Sequence, residues 1–343
     1  MNIDLLKRLC ETPGVPGQED RVRDLIAAEA EGLFDLVETD PMGSLHCRRN
    51  GQGENPERIM LLCHMDEIGF LVSHVTDKGF LHVQPVGGFD PRTLFARRVL
   101  VCTDKGDFRG VMNPAGKGVH ISTPEERKKV PQPHEFLVDL GMGERAKEVV
   151  EVGDMVVMDE PLIEIGDKVV SKALDNRIAC WLGLEAIRAM GDARSKAEVH
   201  VCFTTQEEVG LRGARTAAYY VKPHIGIGVD TSLANDTPGV GENDRVTQQG
   251  KGFGLHIRDG SFIADRGLVR EFAEIAEREG IPYQRTMLRA GGQDGAAAQQ
   301  AAAGARAIGI VVGTRYIHTV CEMIHKSDLE AARDVLAAFL KGR

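Results

Sequence analysis

Apolar residues at helical spacing open the chain. Leu5, Leu6 and Leu9 predict a first helix, and the apolar positions between 22 and 33 predict a second. The intervening run 12–17 separates them because it contains two prolines and two glycines. The near-continuous apolar run at 58–63 instead predicts a strand buried on both faces, as in a parallel sheet.

A different pattern runs from about residue 70 to 163. Short apolar runs alternate there with Gly, Pro and Asp, and helical periodicity is missing apart from a short candidate helix near 143–150. Short strands separated by regular turn residues predict a small β-barrel or sandwich.

From residue 164 onward, helix and strand patterns alternate again. The predicted helices are 176–190, 213–221, 268–280, 295–303 and a C-terminal amphipathic helix, and the predicted strands are 197–204, 225–229 and 305–312. The simplest organisation is one α/β domain, formed by residues 1–69 and 164–343 and interrupted by an all-β insertion at 70–163.

Composition and charge narrow the class of protein. The 343 residues are 42 % apolar and 27 % charged, as in a soluble globular protein, and no apolar stretch is long enough for a transmembrane helix. A net charge of −9 argues against nucleic acid or an anionic membrane as partner. The N-terminus lacks the pattern of a secretory signal, and the seven cysteines lack CxxC spacing. We therefore expect a cytoplasmic protein whose reduced thiols fill the core.

Candidate chemistry begins at the end of the first buried strand. His64 ends that strand, and Asp66 lies two positions further on, on the same face of extended chain. The Asp66 carboxylate could accept a hydrogen bond from the far ring nitrogen, which is what a metal-binding histidine usually needs. A hydrogen-bonded core histidine is an equally good reading of His64 alone.

Four further segments place polar side chains at the ends of elements. Asp175 starts a helix, where it could be an N-cap or a metal bridge, and the Glu207–Glu208 pair follows a buried strand. That pair could be solvated, or one glutamate could bind metal while the other moves a proton. Asp230 ends another predicted strand. His318 lies in a polar loop, where it could be a general acid, a metal ligand or merely a loop residue.

The combination is more informative than any single segment. Two imidazoles and three carboxylates suit zinc, cobalt or manganese. The set exceeds what one catalytic zinc needs and fits two ions about 3.5–4 Å apart that share one carboxylate. These candidate ligands are His64, Asp175, Glu208, Asp230 and His318.

The motifs around these residues resemble those of the M42 family of metallo-aminopeptidases, the tetrahedral (TET) peptidases. The resemblance lies in the segments 64–69, 175–177, 206–214, 236–239 and 314–318, in family order and across almost the whole chain. It implies an α/β fold whose mixed central sheet is sandwiched by helices, with an inserted PDZ-like β-barrel for dimerisation. It also implies assembly of dimers into a homo-oligomer, a dodecamer that encloses a chamber.

The resemblance also implies the role of each site residue. One metal would be held by His64, Asp175 and Asp230, and the other by Asp175, Glu208 and His318. Glu207 would be the general base, and Asp66 would orient His64.

Two segments depart from the family pattern where the family shapes its substrate pocket. The usual Gly-Gly-Thr-Asp loop reads Gly291-Gly292-Gln293-Asp294, and the usual Gly-Pro-Ala segment is replaced within 251–256. We expect residues 291–294 to bind substrate but leave the preferred N-terminal residue open. Arg285 and Arg289 near this loop could favour acidic residues, although solvated arginines are the simpler reading.

The predicted reaction is removal of the N-terminal residue from short peptides. Two bridged divalent metals, zinc or cobalt with manganese as a third candidate, would activate water, and Glu207 would take its proton. The main alternative is an amidohydrolase or deacylase that uses the same site on a non-peptide amide. A glycosidase would need two carboxylates and no metal, and a non-catalytic scaffold would have no reason to keep every ligand and the base.

Overall fold

Two sheets contain all the strands of the computed structural model, which describes residues 1–343. The eight helices are α1 Ile3–Glu11, α2 Asp20–Ala30, α3 Pro124–Lys128, α4 Leu174–Met190, α5 Arg212–Val221, α6 Arg266–Glu279, α7 Gly295–Gln300 and α8 Lys326–Lys341. The strands are β1 Leu36–Thr39, β2 Leu45–Arg49, β3 Arg58–His64, β4 Gly69–Val75, β5 Phe80–Val86, β6 Arg97–Thr103, β7 Gly106–Pro114, β8 Phe136–Asp139, β9 Met155–Met158, β10 Ile163–Ile165, β11 Lys168–Ser171, β12 Glu198–Thr204, β13 Ile225–Leu233, β14 Phe253–Arg258, β15 Tyr283–Met287, β16 Arg306–Arg315 and β17 Glu322–His325.

The larger sheet has eleven strands, with a main path in the order β1-β2-β12-β3-β13-β16-β17-β11-β10. Its centre is parallel: β3 lies between β12 and β13, and β13 also pairs with β16. These central strands are buried along most of their length, as their near-continuous apolar sequences require. Their carboxyl ends therefore meet at one edge of the sheet.

The smaller sheet is a closed antiparallel barrel in the order β4-β5-β8-β7-β6-β9. It encloses its own apolar core, which includes Phe70, Val99, Phe136 and Val156. The α/β fold with a mixed sheet and an inserted barrel is thus confirmed.

Helices cover the large sheet and bury their apolar faces against it. Nearly every residue of α4 is buried, and α8 buries Leu336 and Phe339, whose ring stacks on Phe272 of α6 at a centroid distance of 4.3 Å. Together these side chains belong to a single core of 52 buried residues. No helix of the structure is both long and apolar enough to span a membrane.

Several local predictions need correction. The candidate helix at 143–150 is a short 3₁₀ helix at Gly143–Glu148, and the alanine-rich helix predicted to reach 303 ends at Gln300. Ala302 has φ +50°, a left-handed conformation that an α-helix cannot continue. All seven cysteines are free thiols, but Cys321 is exposed whereas the other six are buried.

A buried arginine ties the N-terminal segment to the strand that carries His64. Arg177 of α4 is fully buried, and its guanidinium donates to the main-chain oxygens of Met65, Thr12, Gly14 and Leu9. Its Nη2 also lies 3.4 Å from Glu67, whose carboxylate is paired with Lys172 at 2.7 Å. Removing such a partner leaves buried polar groups unpaired, which is strongly destabilising.

We predict that Arg177→Lys lowers the free energy of unfolding by about 3 kcal/mol or more, because an ammonium group cannot reach this set of acceptors. Arg194→Lys is the control, since Arg194 makes an exposed ion pair with Asp35 at 2.9 Å and should change stability by about 0.5 kcal/mol or less. Denaturant unfolding measures both variants. Equal losses of unfolding free energy in the two variants would show that the buried contacts of Arg177 stabilise the fold no more than an exposed ion pair does.

Candidate active site

His64 stands at the centre of a cluster of carboxylates at the sheet edge. Its Nε2 lies 3.4 Å from Asp175 Oδ1, 3.8 Å from Glu207 Oε2 and 4.0 Å from Asp230 Oδ1. On the other side of the ring, Nδ1 lies 3.1 Å from the main-chain oxygen of Asp66 and 3.5 Å from its carboxylate. If Nδ1 carries the proton and donates it to this main-chain oxygen, the Nε2 lone pair points into the cluster.

Asp175 lies between the two histidines of the cluster. Its Oδ1 faces His64, and its Oδ2 lies 3.6 Å from His318 Nε2. The same His318 nitrogen is 3.4 Å from Glu208 Oε1. One carboxylate with an oxygen toward each imidazole is the arrangement that a bridging metal ligand needs.

The turn that carries Glu207 and Glu208 is held by buried carboxylates. The main-chain N–H of Gln206 donates to Glu19 Oε1 at 2.9 Å, and those of Glu207 and Glu208 donate to the two oxygens of Asp66 at 3.0 Å each. The family resemblance implies that Asp66 orients His64. In the structure its main-chain oxygen lies nearest to the ring, its carboxylate faces the same ring nitrogen at 3.5 Å, and that carboxylate also fixes the Glu207–Glu208 turn.

Three groups of side chains are close enough to share a cation. They are His64 with Asp175 and Asp230, Asp175 with Glu208 and His318, and His64 with Glu207 and Glu208, and within each group the candidate ligand atoms lie within 4.8 Å of one another. The first two groups contain all five predicted ligands and share Asp175. Imidazole nitrogens and carboxylate oxygens are the donors that zinc, cobalt and manganese accept, so the residues fit a two-cation site.

The cluster opens into a cavity of about 760 Å³ whose wall includes Gly291 and Gly292. Gln293 also lines it, but its amide is turned toward the sheet and lies against Gly228. A Cβ at 228 would be 1.5 Å from Gln293 Oε1 and 2.7 Å from the main-chain nitrogen of Gly295, so only glycine fits there. Asp294 lies outside the lining and accepts a hydrogen bond from Thr204. Of the four residues predicted to bind substrate, the two glycines are thus the best placed.

Comparison with known proteins identifies the family. The family model described as M42 glutamyl aminopeptidase matches residues 43–335. The chain belongs to the M42 family of aminopeptidases.

Relatives of this M42 chain extend over its whole length. The glutamyl aminopeptidase of Lactococcus lactis subsp. cremoris is 31 % identical over 98 % of this chain and 95 % of its own. A TET aminopeptidase structure from the archaeon Thaumarchaeota archaeon SCGC AB-539-E09 superposes with a TM-score of 0.94, at 33 % identity over 99 % and 95 % of the two chains. The Pyrococcus horikoshii TET1 peptidase gives 0.88, at 32 % identity over 98 % of each chain, and can assemble into a tetrahedron or a large octahedral shell.

Sequence reasoning missed two side chains at this M42 site. Glu322 is buried at the start of β17 and accepts hydrogen bonds from the main-chain N–H groups of Asp175 and His318. His256 also lines the cavity, where it contacts Thr286 at 3.1 Å and Asp259 at 3.3 Å. Glu322 stands alone before an apolar strand, so no pattern in the sequence distinguishes it from a solvated residue.

Protons balance the charge of the cluster in the metal-free protein. Burial raises the pKa of Glu207 and of Asp230 well above their usual values, because each carboxylate is shut off from water near others. Burial lowers the pKa of His318, but the hydrogen bond to Glu208 together with the negative charges of Glu208, Asp175 and Glu322 outweighs that effect and raises the pKa to about 10. The pKa of His64 is likewise raised well above 6.5, because Glu207, Asp175 and Asp66 outweigh its burial.

We therefore predict that metal affinity rises with pH between about 6 and 9. His318, whose pKa is raised to about 10, holds a proton throughout this range in the metal-free protein and must lose it to bind a cation, so the affinity gains up to about tenfold per pH unit for each proton released. Zinc titrations at several pH values, each in two buffers of different protonation enthalpy, measure affinity and released protons together. A constant affinity with no proton release would contradict protonated imidazoles in the metal-free cluster.

Proposed function

We propose that this M42 aminopeptidase removes N-terminal residues from short peptides, with Glu207 as its general base. The observation that carries the proposal is that Glu207 lies beside the two ligand groups that share Asp175 and belongs to neither of them. Glu207 lies close to His64 without a Lys or Arg partner. A carboxylate with that position is available to move protons instead of serving as a fixed ligand.

We assign two divalent ions to the cluster, zinc or cobalt with manganese as the alternative. His64, Asp175 and Asp230 would hold one ion, and Asp175, Glu208 and His318 the other. Bound there, the ions would supply Lewis-acid chemistry, polarising the scissile carbonyl and making water more acidic. The third possible group, which includes Glu207 as a ligand, is disfavoured because it leaves Asp230 and His318 without a function.

Glu207 would take a proton from the attacking water and deliver it to the leaving amine. Burial keeps its pKa well above the usual value for a glutamate, so its ionised form is a stronger base than a solvated carboxylate. The Asp66 carboxylate holds the Glu207 main-chain N–H at 3.0 Å. This bond fixes the turn from which the base reaches the reacting atoms.

The charge of the cavity suits a free α-amino group. Its wall carries the carboxylates of the cluster together with Asp259, whereas its one arginine, Arg215, lies on the exposed side of α5. Glu207 and Asp259 lie in the wall but outside the proposed ligand set, so their charge would attract a positively charged N-terminus, whereas a blocked N-terminus carries no charge. Arg289 is exposed, lies 3.8 Å from Asp244 and is not among the residues that line the cavity.

We further propose that the inserted barrel, within residues 70–163, is a dimerisation domain and that dimers form a dodecamer. The barrel and the loops attached to it expose Phe95, Val111 and Ile121 at 44 %, 47 % and 74 %, which are apolar side chains that a partner would cover. A tetrahedron like the one the Pyrococcus horikoshii peptidase can form has six edges, so one dimer along each edge gives twelve chains.

The cytoplasm remains the expected compartment. Seven free cysteines are typical of a protein kept in a reducing environment.

The function is tested by comparing peptides with free and acetylated N-termini. We predict hydrolysis of aminoacyl p-nitroanilides and short peptides by zinc- or cobalt-loaded protein, and loss of hydrolysis on acetylation, because the blocked amine carries no charge. Removal of metal with a chelator should abolish activity, and added metal should restore it. Equal turnover of the acetylated substrates would favour the amidohydrolase alternative.

The base assignment predicts that Glu207→Gln keeps its metal but loses at least about a hundredfold in kcat, because the amide cannot accept the proton. Glu274→Gln on the exposed side of α6 is the control and should retain full activity. Measuring the bound metal together with kcat distinguishes a variant that has lost the proton-transfer step from one that has lost a metal ion. Near-normal turnover in Glu207→Gln would show that another group is the base.

A further inference from the structure

One buried carboxylate joins two site residues that are far apart in the sequence. Glu322 is 2 % exposed, and its two oxygens accept separate hydrogen bonds. Oε2 accepts from the main-chain N–H of Asp175 at 2.9 Å, and Oε1 accepts from that of His318 at 2.7 Å. These contacts reach the backbone of both residues and leave their side chains free.

Both N–H groups lie where the backbone offers no regular partner. Asp175 is in the first turn of α4, whose leading N–H groups have no acceptor within the helix, and it follows Ala173 in a left-handed conformation with φ +56°. His318 is itself left-handed, with φ +63°, which is uncommon for a residue other than glycine. A carboxylate that accepts from both N–H groups fixes these two backbone positions relative to each other.

We propose that Glu322 is a positioning residue that preassembles one of the two cation sites. The inference rests on the proposed function, since it takes Asp175, Glu208 and His318 as the ligands of one ion. Glu322 holds two of these three ligands, and the imidazole and carboxylate that it aligns are 3.6 Å apart. The other proposed ion has only Asp175 in common with this contact, because Asp66 and the end of β3 fix His64 independently.

Loss of Glu322 should therefore weaken one ion more than the other. In Glu322→Gln a single amide oxygen can accept one N–H, and the amide NH₂ group then faces the other N–H. Loss of a partner that orients a metal ligand typically lowers metal affinity about 10–100-fold. We expect that loss at the ion held by Asp175, Glu208 and His318, and a change of less than about threefold at the other ion.

The chain contains a matched control. Asp328 of α8 is also fully buried, and its carboxylate accepts from the main-chain N–H groups of Gly250 and Gly252 at 2.7 and 2.8 Å. Asp328→Asn therefore removes the same kind of contact at a loop that carries none of the proposed ligands. Any effect of general destabilisation should appear in this variant as well.

The metal-free wild type, Glu322→Gln and Asp328→Asn proteins are titrated with zinc against a competing chelator. The titrations give the number of ions bound and the affinity of each. The expected result is two ions in wild type and Asp328→Asn, and selective weakening of one ion in Glu322→Gln. Glu322→Asp keeps the charge but is too short to reach both N–H groups, so it should show the same selective loss if Glu322→Gln does not fold. Unchanged affinities, equal weakening of both ions, or the same loss in Asp328→Asn would overturn the proposal.

Amide hydrogen exchange of the metal-free proteins provides a readout that needs no ion. The N–H groups of Asp175 and His318 should exchange at least about tenfold faster in Glu322→Gln than in wild type, while the later turns of α4 keep their protection. If wild type binds fewer than two ions, the proposed function fails but this measurement still tests the contact. Unchanged exchange at both positions would exclude Glu322 as their partner.

Discussion

Repulsion between buried carboxylates is the constraint on which the site depends. Asp175 and Asp230 carry ligand atoms within 4.8 Å of each other and are both less than a tenth exposed. Two such charges repel by about 3–4 kcal/mol at the effective dielectric of a protein site. The repulsion in a few pairs of this kind would equal the free energy of unfolding of an ordinary domain, which is about 5–15 kcal/mol. Positive charge must therefore enter the cluster, as protons on the imidazoles and carboxylates or as metal ions.

The parallel centre of the sheet is what brings these charges together. Thr204, the last residue of β12, pairs with His64, the last residue of β3, so the Glu207–Glu208 turn begins beside the imidazole. Asp230 reaches the same edge from β13, on the other side of β3. The backbone there is held by carboxylates that are not ligands, Glu19, Asp66 and Glu322, each of which accepts main-chain N–H groups. These hydrogen bonds hold the backbone in place, which suits a site that must keep its shape against repulsion.

Elements that follow a repeating pattern of apolar and polar residues could be predicted from the sequence. Contacts between single residues far apart in the chain could not. The central strands could be predicted because both of their faces are buried, and the five candidate ligands could be proposed because they lie near the ends of predicted strands, in a loop or at a helix start. The β1–β2 hairpin was missed because its strands carry charged and polar residues, among them Arg48 and Arg49. The inward turn of Gln293 depends on Gly228 in a distant strand, and the contacts of Glu322 depend on residues up to 147 positions away. The spacing of residues along the sequence gives no information about such contacts. The separate roles of Glu207 and Glu208 came from the family resemblance alone.

The proposed mechanism requires that two cations share Asp175 while Glu207 stays free to move protons. Anomalous scattering from crystals of the zinc- or cobalt-loaded protein would reveal the ions and their ligands together. We expect two peaks about 3.5–4 Å apart, with one Asp175 oxygen toward each and Glu207 bound to neither. A single peak, or a Glu207 oxygen in the coordination sphere in place of Glu208, would contradict this arrangement.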